Sequence, residues 1–438
     1  MRATLLVCCG SLVLGATTSV VACASSSEAE PPTTPASSPD SGGDNIQPAD
    51  GGPSEPETGT DAAVDGQACS AAGWCRTTLP DEELVVRDIW PIGDRAFAIA
   101  QSSVLGIKVL EWEEADATWN YIDDGTQNDA FGKYTGGIWA PNGDEIYYAV
   151  DPGYIYHGKR SQPPATTWSW TRQKLKGNSL GDDIDRPDGY PYYSALNANY
   201  PALGVWGTSA DDVYAWFANT IYHRTGVAGA APEWVPEYTA DDASASTEHI
   251  YFLAAAGTGS DEVWFSGART TAPSSGACAV LVRKTAGNYQ RIADGTLTSS
   301  TSRCTAKDGY QLIGGTEGWL TDIHMPSANR IIGLKGARDV LDVVASGDGY
   351  SVSVAQVPTS LVRKPLNSLW VALEGPWLSG LGIVVRSKSN VWDGGSFEIS
   401  TVAYGGAALN QSLHRVRGTS NTNLWAIGVH NALHKTSP

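Results

Sequence analysis

The chain has 438 residues, with 47 acidic against 29 basic side chains for a formal net charge of −18, and 42% of it is hydrophobic, including 16 tryptophans. A chain of that length buries a large core, and that charge balance leaves no basic face for nucleic-acid phosphates.

In chain order, MRATLLVCCGSLVLGATTSVVAC comes first. One Arg precedes an apolar run too short to span a bilayer comfortably and ending in small residues, which predicts a signal peptide over residues 1–22. Val20, Val21, Ala22 and Cys23 resemble the lipobox of bacterial lipoproteins. That resemblance implies that Cys23 becomes the acylated first residue, and that the protein, with Ala24 and Ser25 in place of Asp after it, sorts to the outer membrane. An ordinary secretory signal cut near Ala22 or Ala24 is the alternative. On either reading the chain leaves the cytoplasm, to face the periplasm or the cell surface.

Residues 23–67 form the next segment. From Ala24 to Gly66 the chain is Ser, Pro, Thr, Gly, Ala and acid, with nine Asp or Glu and no Lys or Arg. It cannot bury enough apolar surface to offset its ordering entropy, so a disordered tether is expected, spanning on the order of 40 Å as a coil. Half of the net charge sits here.

Four cysteines lie beyond Cys8, Cys9 and Cys23: Cys69, Cys75, Cys278 and Cys304. An even set in an oxidising compartment predicts two disulfides, and of three pairings the sequence-local one, Cys69 with Cys75 and Cys278 with Cys304, is favoured. A four-thiolate zinc site is the rival, without the C-x-x-C spacing it would want.

Residues 68–438 form the folded domain. VWGTSADDVYAWFANTIYHRTG (205–226) and VRGTSNTNLWAIGVHNALHK (416–435) are one phrase written twice. Residues 138–157 and 256–264 give further copies, and weaker ones begin near Leu84, Trp319 and Ser360. Each copy runs strand, Gly/Asn/Asp/Ser turn, strand like D-V-W, Gly or Asn turn, strand like T-I-Y-H, and often a Trp about a dozen residues on. Short Val, Ile, Tyr and Trp strands recurring about every fifty residues predict an all-β propeller, with seven blades, or six if the stretch 319–405 is miscounted. The last copy stops after its third strand, whereas GWCRTTLP (73–80) has no blade of its own and carries the missing Trp. Residues 74–79 are therefore expected beside 431–436, closing the ring and covering a strand edge.

The order of lipobox, Pro/Ser/Asp-rich tether, GWC element and W-G-T/S-x-x-D-V-W repeats resembles a group of propeller lipoproteins of myxobacteria-like bacteria. The resemblance covers most of the chain and implies fold and envelope location, but no activity.

Several residues invite chemistry. His157, His223 and His434 recur at one position of three blades, which points to structure and not to a shared metal. Asp211, Asp212, Asp261 and Glu262 open second strands, where Asp is expected to cap turn backbone. The insertion 178–201 holds Asp183, Asp185 and Asp188, an imperfect D-x-D-x-D-G calcium loop with Ser194 where an EF-hand has its Glu. A solvated loop or weak calcium site follows, with no other cofactor expected. Tyr190, Tyr192, Tyr193 and Tyr200 in the same insertion suit a contact surface, because Tyr brings large area at small entropy cost. SGDGYSV (346–352) lacks the Thr-Trp ending of an Asp box, and no Arg triad, G-x-S-x-G or H-E-x-x-H is present. The expected function is therefore binding of an envelope or extracellular protein or glycan. The alternative is a polysaccharide hydrolase or lyase with carboxylates converging on the channel.

Overall fold

The computed structural model describes residues 69–437 apart from 130–133, 163–165, 178–201, 227–230, 241–247, 272–275, 298–302, 316, 348 and 405–406. It is a seven-bladed β-propeller, each blade a four-stranded antiparallel sheet. Blade 1 comprises Val85–Ile92, Arg95–Ser102, Gly106–Glu113 and Thr118–Tyr121, and blade 2 Thr135–Asn142, Glu145–Val150, Tyr154–Arg160 and Trp168–Lys174. Blade 3 comprises Leu203–Ser209, Asp212–Phe217, Thr220–Thr225 and Glu233–Thr239, and blade 4 His249–Gly259, Glu262–Thr270, Ala277–Thr285 and Asn288–Ala293. Blade 5 comprises Leu320–Ser327, Arg330–Lys335, Asp339–Ser346 and Gly349–Gln356, and blade 6 Leu366–Ala372, Gly375–Gly380, Ile383–Ser387 and Phe397–Ser400. Blade 7 takes Leu413–Ser420, Asn423–Gly428 and Asn431–Lys435 from the end of the chain and Trp74–Arg76 from its beginning. The first strands of successive blades touch around the ring, blade 7 against blade 1 included. Among the described residues no helix is long and apolar enough to cross a membrane.

Burial follows from blade stacking. A second strand lies between two neighbouring blades, so both faces are covered and it reads as a nearly unbroken apolar run: Asp212–Phe217 is buried at every position. Fourth strands lie at the rim, and Trp168–Lys174 has no fully buried residue.

The closure expected from GWCRTTLP is present, and shorter than expected. Trp74 pairs with Lys435, Cys75 with His434 and Arg76 with Leu433; past the strand, Thr77 N donates to Ala432 O at 3.0 Å. Trp74 is completely buried, donates its indole N–H to Ser400 Oγ at 2.9 Å and meets Trp377 edge-on at 6.1 Å. Burying an indole of that size stabilises by roughly 4–6 kcal/mol as an upper bound. One short strand thus joins blade 7 to blade 6, and Thr77, accepting from Trp119 Nε1 at 2.9 Å, joins it to blade 1.

Both sequence-local disulfides form, Cys69–Cys75 and Cys278–Cys304. The second ties the third strand of blade 4 to a two-stranded ribbon, Gly295–Leu297 with Cys304–Ala306, inserted before blade 5. The sequence reading contained no such ribbon, because its two strands are only three residues long and fall outside the repeat.

The repeated His is a stacking position. His157 lies flat on Tyr147 at 4.2 Å, His223 on Tyr214 at 4.4 Å and His434 on Trp425 at 4.0 Å. Each imidazole also meets the side chain that opens the preceding strand: Glu145 at 2.7 Å, Asp212 at 3.0 Å and Asn423 at 3.0 Å. Asp212 therefore serves His223 and the Thr208 hydroxyl, which corrects the expectation that it caps turn backbone. Burial alone would raise Glu145, but the hydrogen bonds from His157 and Tyr147 hold it down at about 2. Blade 4 uses the same place for Arg283, over Trp264 and 2.7 Å from Glu262. Blades 1 and 5 reverse the order of charge, with Arg95 on Glu111 and Arg330 on Asp342.

Candidate functional site

One position of each first strand supplies the inner wall. Cross-strand pairing to the second strand aligns Trp90, Trp139, Trp206, Ala256, His324, Trp370 and Arg417 as equivalents, each opposite the aromatic or Ile of its own blade. Two residues earlier stand Asp88, Gly204, Ala254, Asp322, Ser368 and Arg415 on the same strand face.

The Trp side chains fit because glycines give way. A Cβ on Gly207 would stand 2.7 Å from the Trp139 ring, and one on Gly257 equally close to Trp206, so the Gly after the inner-wall position accepts the Trp of the preceding blade. At Gly204 a side chain would collide with Trp216. Its absence lets an indole from the second strand reach the channel.

These layers enclose a cavity of about 280 Å³ walled by Trp90, Trp206, Trp216 and Trp370, with His324 and Arg415 among its polar members. At the turns between first and second strands it continues, through His324, Trp370, Gly418 and Thr419, into a groove of about 770 Å³ over blades 5 to 7. Leu373 in that groove is fully exposed, an apolar side chain at a turn tip.

Four charges meet in the channel. Arg417 binds both oxygens of Asp322 at 3.1 Å, and Asp322 Oδ2 also accepts from Leu369 N at 2.9 Å. Asp88 accepts from Ile89 N at 3.0 Å and from Ile138 N, in the next blade, at 3.0 Å. Arg415 lies between, Nε 3.4 Å from Asp88 Oδ1 and Nη1 3.8 Å from Asp322 Oδ2. Those are charge contacts without hydrogen-bond geometry. Among the described residues Arg415 Nε and Nη1, Trp216 Nε1 and His324 Nδ1 have no hydrogen-bond partner. Burial, with Arg417 beside it, pushes His324 down to about 4, so it is neutral near pH 7.

Both carboxylates of the channel are already engaged. Each oxygen of the two carboxylates accepts a hydrogen bond, and Asp322 is wholly buried. The aromatic walls and groove offer contact area.

Of the sites expected from sequence, Asp183, Asp185, Asp188, Tyr190, Tyr192, Tyr193 and Tyr200 lie outside the described residues, as does Cys23. Among the described residues no cluster of His, Cys, Asp and Glu could hold a metal ion. Asp88, Asp322, Arg415, Arg417 and His324 were missed. The signal was in the alignment of the repeats: at the Trp position Ala256, His324 and Arg417 are the exceptions.

No family model matches the chain, and no curated protein matches it. Among solved structures, YCF48 from Cyanidioschyzon merolae superposes with a TM-score of 0.51 at 13% identity, over 82% of this chain and 98% of that one. YCF48 bound to D1 peptide gives 0.51 at 12% identity, over 85% and 97%. At such identities the likeness is one of fold.

Proposed function

We propose that the chain is a secreted envelope lipoprotein, anchored through Cys23, whose ring binds a protein or glycan partner at the channel mouth. One observation carries this: an aromatic-walled cavity opening into a groove, with the neighbouring carboxylates already engaged. Propeller loops and channel mouths serve binding in many folds, and YCF48, a propeller of similar fold, has been solved with a bound D1 peptide, which favours a peptide segment as the partner's contact. The likeness to myxobacterial-type propeller lipoproteins and the two disulfides support the envelope address.

The experiment is capture from envelope and extracellular material by residues 68–438, repeated with Trp206→Ala and Trp370→Ala. Loss of one defined partner in both variants, with unchanged melting, supports the mouth as the site; equal capture by all three refutes it. Release of sugar from envelope polysaccharide by the wild-type ring would favour the hydrolase or lyase alternative. Two further variants test the remaining expectations. Cys23→Ala should abolish lipid labelling, and labelling that persists would remove the anchor. Replacing Tyr190, Tyr192 and Tyr193 by Ser should weaken capture at unchanged melting temperature; a fall of many degrees would place them in a core.

A further inference from the structure

The channel cavity contains more donors than its own acceptors use. Arg415 is 7% exposed and Trp216 5%, both line the cavity, and three of their N–H groups have no acceptor among the described residues. His324 Nδ1 is a fourth unpartnered nitrogen in the lining of the same cavity. A buried donor without a partner costs about 1–3 kcal/mol, more when charged, so a set of them on one cavity favours a ligand that accepts. The local acids answer Arg415 by charge alone, at 3.4 and 3.8 Å without hydrogen-bond geometry, since Asp322 is held by Arg417 and Leu369 N and Asp88 by two backbone amides.

We propose that this cavity is a carboxylate-binding site, in which Arg415, with the Trp216 indole N–H as a further donor in the same lining, receives an acidic side chain or the C-terminal carboxylate of a peptide whose apolar neighbours lie against Trp206 and Trp370. The assignment rests on the binding reading above and gives that mouth its ligand chemistry. Size decides for a peptide over a glycan: about 280 Å³ lies just under the roughly 300–1,000 Å³ of ordinary ligand sites, room for one side chain or chain end and not for a run of sugar rings. Charge decides for a carboxylate. Guanidinium is the side chain suited to fork-like recognition of that group, and in a largely buried site walled by indole rings its hydrogen bonds are stronger than at the surface. The adjoining groove, with exposed Leu373, takes the residues that follow.

The test uses calorimetric titration of residues 68–438 with three capped tripeptides. Ac-Leu-Glu-Leu-NH2 carries a side-chain carboxylate, Ac-Leu-Gln-Leu-OH a terminal one, and Ac-Leu-Gln-Leu-NH2 neither. One of the first two should bind at least about tenfold more tightly than the third, and which one it is names the source. Arg415→Lys, which keeps the charge and loses the fork, and Trp216→Phe, which loses one N–H and keeps the ring, should each erase most of that preference. Arg415→Lys is included because Arg415→Gln could unfold the channel by leaving Asp88 and Asp322 undercompensated. Equal binding of all three peptides, binding of inorganic phosphate or an oligouronate but of no peptide, or a preference unchanged in Arg415→Lys overturns the proposal. A partner captured in a Trp206-dependent way whose binding ignores Arg415→Lys would overturn the carboxylate assignment alone, whereas failure of all capture would strike the binding reading itself.

Discussion

Blades 3 and 7 grow from the two most similar phrases in the chain, and their side chains end in opposite circumstances. In blade 3 the first strand gives Gly204 and Trp206 to the channel, and in blade 7 the equivalent places are Arg415 and Arg417. In blade 3, burial alone would lower His223, but hydrogen bonds with Asp212 and Glu237 leave it raised. In blade 7 the stacked His434 faces neutral Asn423 and burial lowers it, the weak pull of Glu114 notwithstanding. The fourth strand of blade 3, Glu233–Thr239, follows directly in sequence, whereas blade 7 receives Trp74–Arg76 from the other end. Strand grammar therefore fixes where a side chain stands, while the residue chosen there decides whether the blade contributes wall, charge or closure.

The largest separation of the two blades should come from their outer strands. Deleting residues 68–80 removes a fully buried Trp and a ladder together, and should cost at least about 5 kcal/mol. Denaturant melts against a protein lacking only residues 24–66 measure this; coincident curves would show that blade 7 stands on three strands. A finer cut compares Trp74→Ala with Trp234→Ala. The first should lose about 3–5 kcal/mol, because it empties a site shared by blades 6 and 7 and strands the Ser400 hydroxyl. The second should lose less, since Trp234 lies on a strand tethered within its own blade.

The smallest effect exchanges the histidine environments. A raised His contributes stability that is fully present below its unfolded value near 6.5 and lost as pH rises through its folded value; a lowered Asp contributes stability lost only as pH falls through its own folded value. Asp212→Asn should thus cost most near pH 5–6, about 1 kcal/mol, and progressively less towards pH 9. Asn423→Asp should do the reverse for blade 7, gaining stability near pH 5–6. Parallel Tm–pH profiles for wild type and Asp212→Asn would show that the ion pair adds nothing.

Much of the ring was legible because a blade is a local meander, and its turns, apolar runs and rim Trp recur within about fifty residues. Trp74 was legible for a related reason, as a rim Trp without a blade beside a blade without its rim Trp. The channel was not. Asp88, Asp322 and Arg415 are brought together from blades 1, 5 and 7, and on their own strands they stand among other polar residues such as Arg87, His324 and Arg417. No local pattern marks such a residue, because its partner lies on another blade and not in the next turn. The His position was legible, but its partner's charge order was not: blade 3 reads acid then His, blade 5 Arg then Asp, and both satisfy the same cross-strand contact.

The closing strand has a consequence in time. Arg76 and its partner Asn431 are 355 residues apart. At about 5–20 residues per second of synthesis, the first-made strand of the ring waits on the order of tens of seconds for the strand it pairs with. During that wait Trp74 has no indole site to enter, and the unpaired edge is open to any other chain that can add a strand. The Cys69–Cys75 loop spans only six residues and requires nothing from the rest of the ring, so in an oxidising compartment it can close before the last blade folds. The segment would then meet Asn431–Lys435 as a turn already bent, and the ring closes only once residues 431–435 are in place.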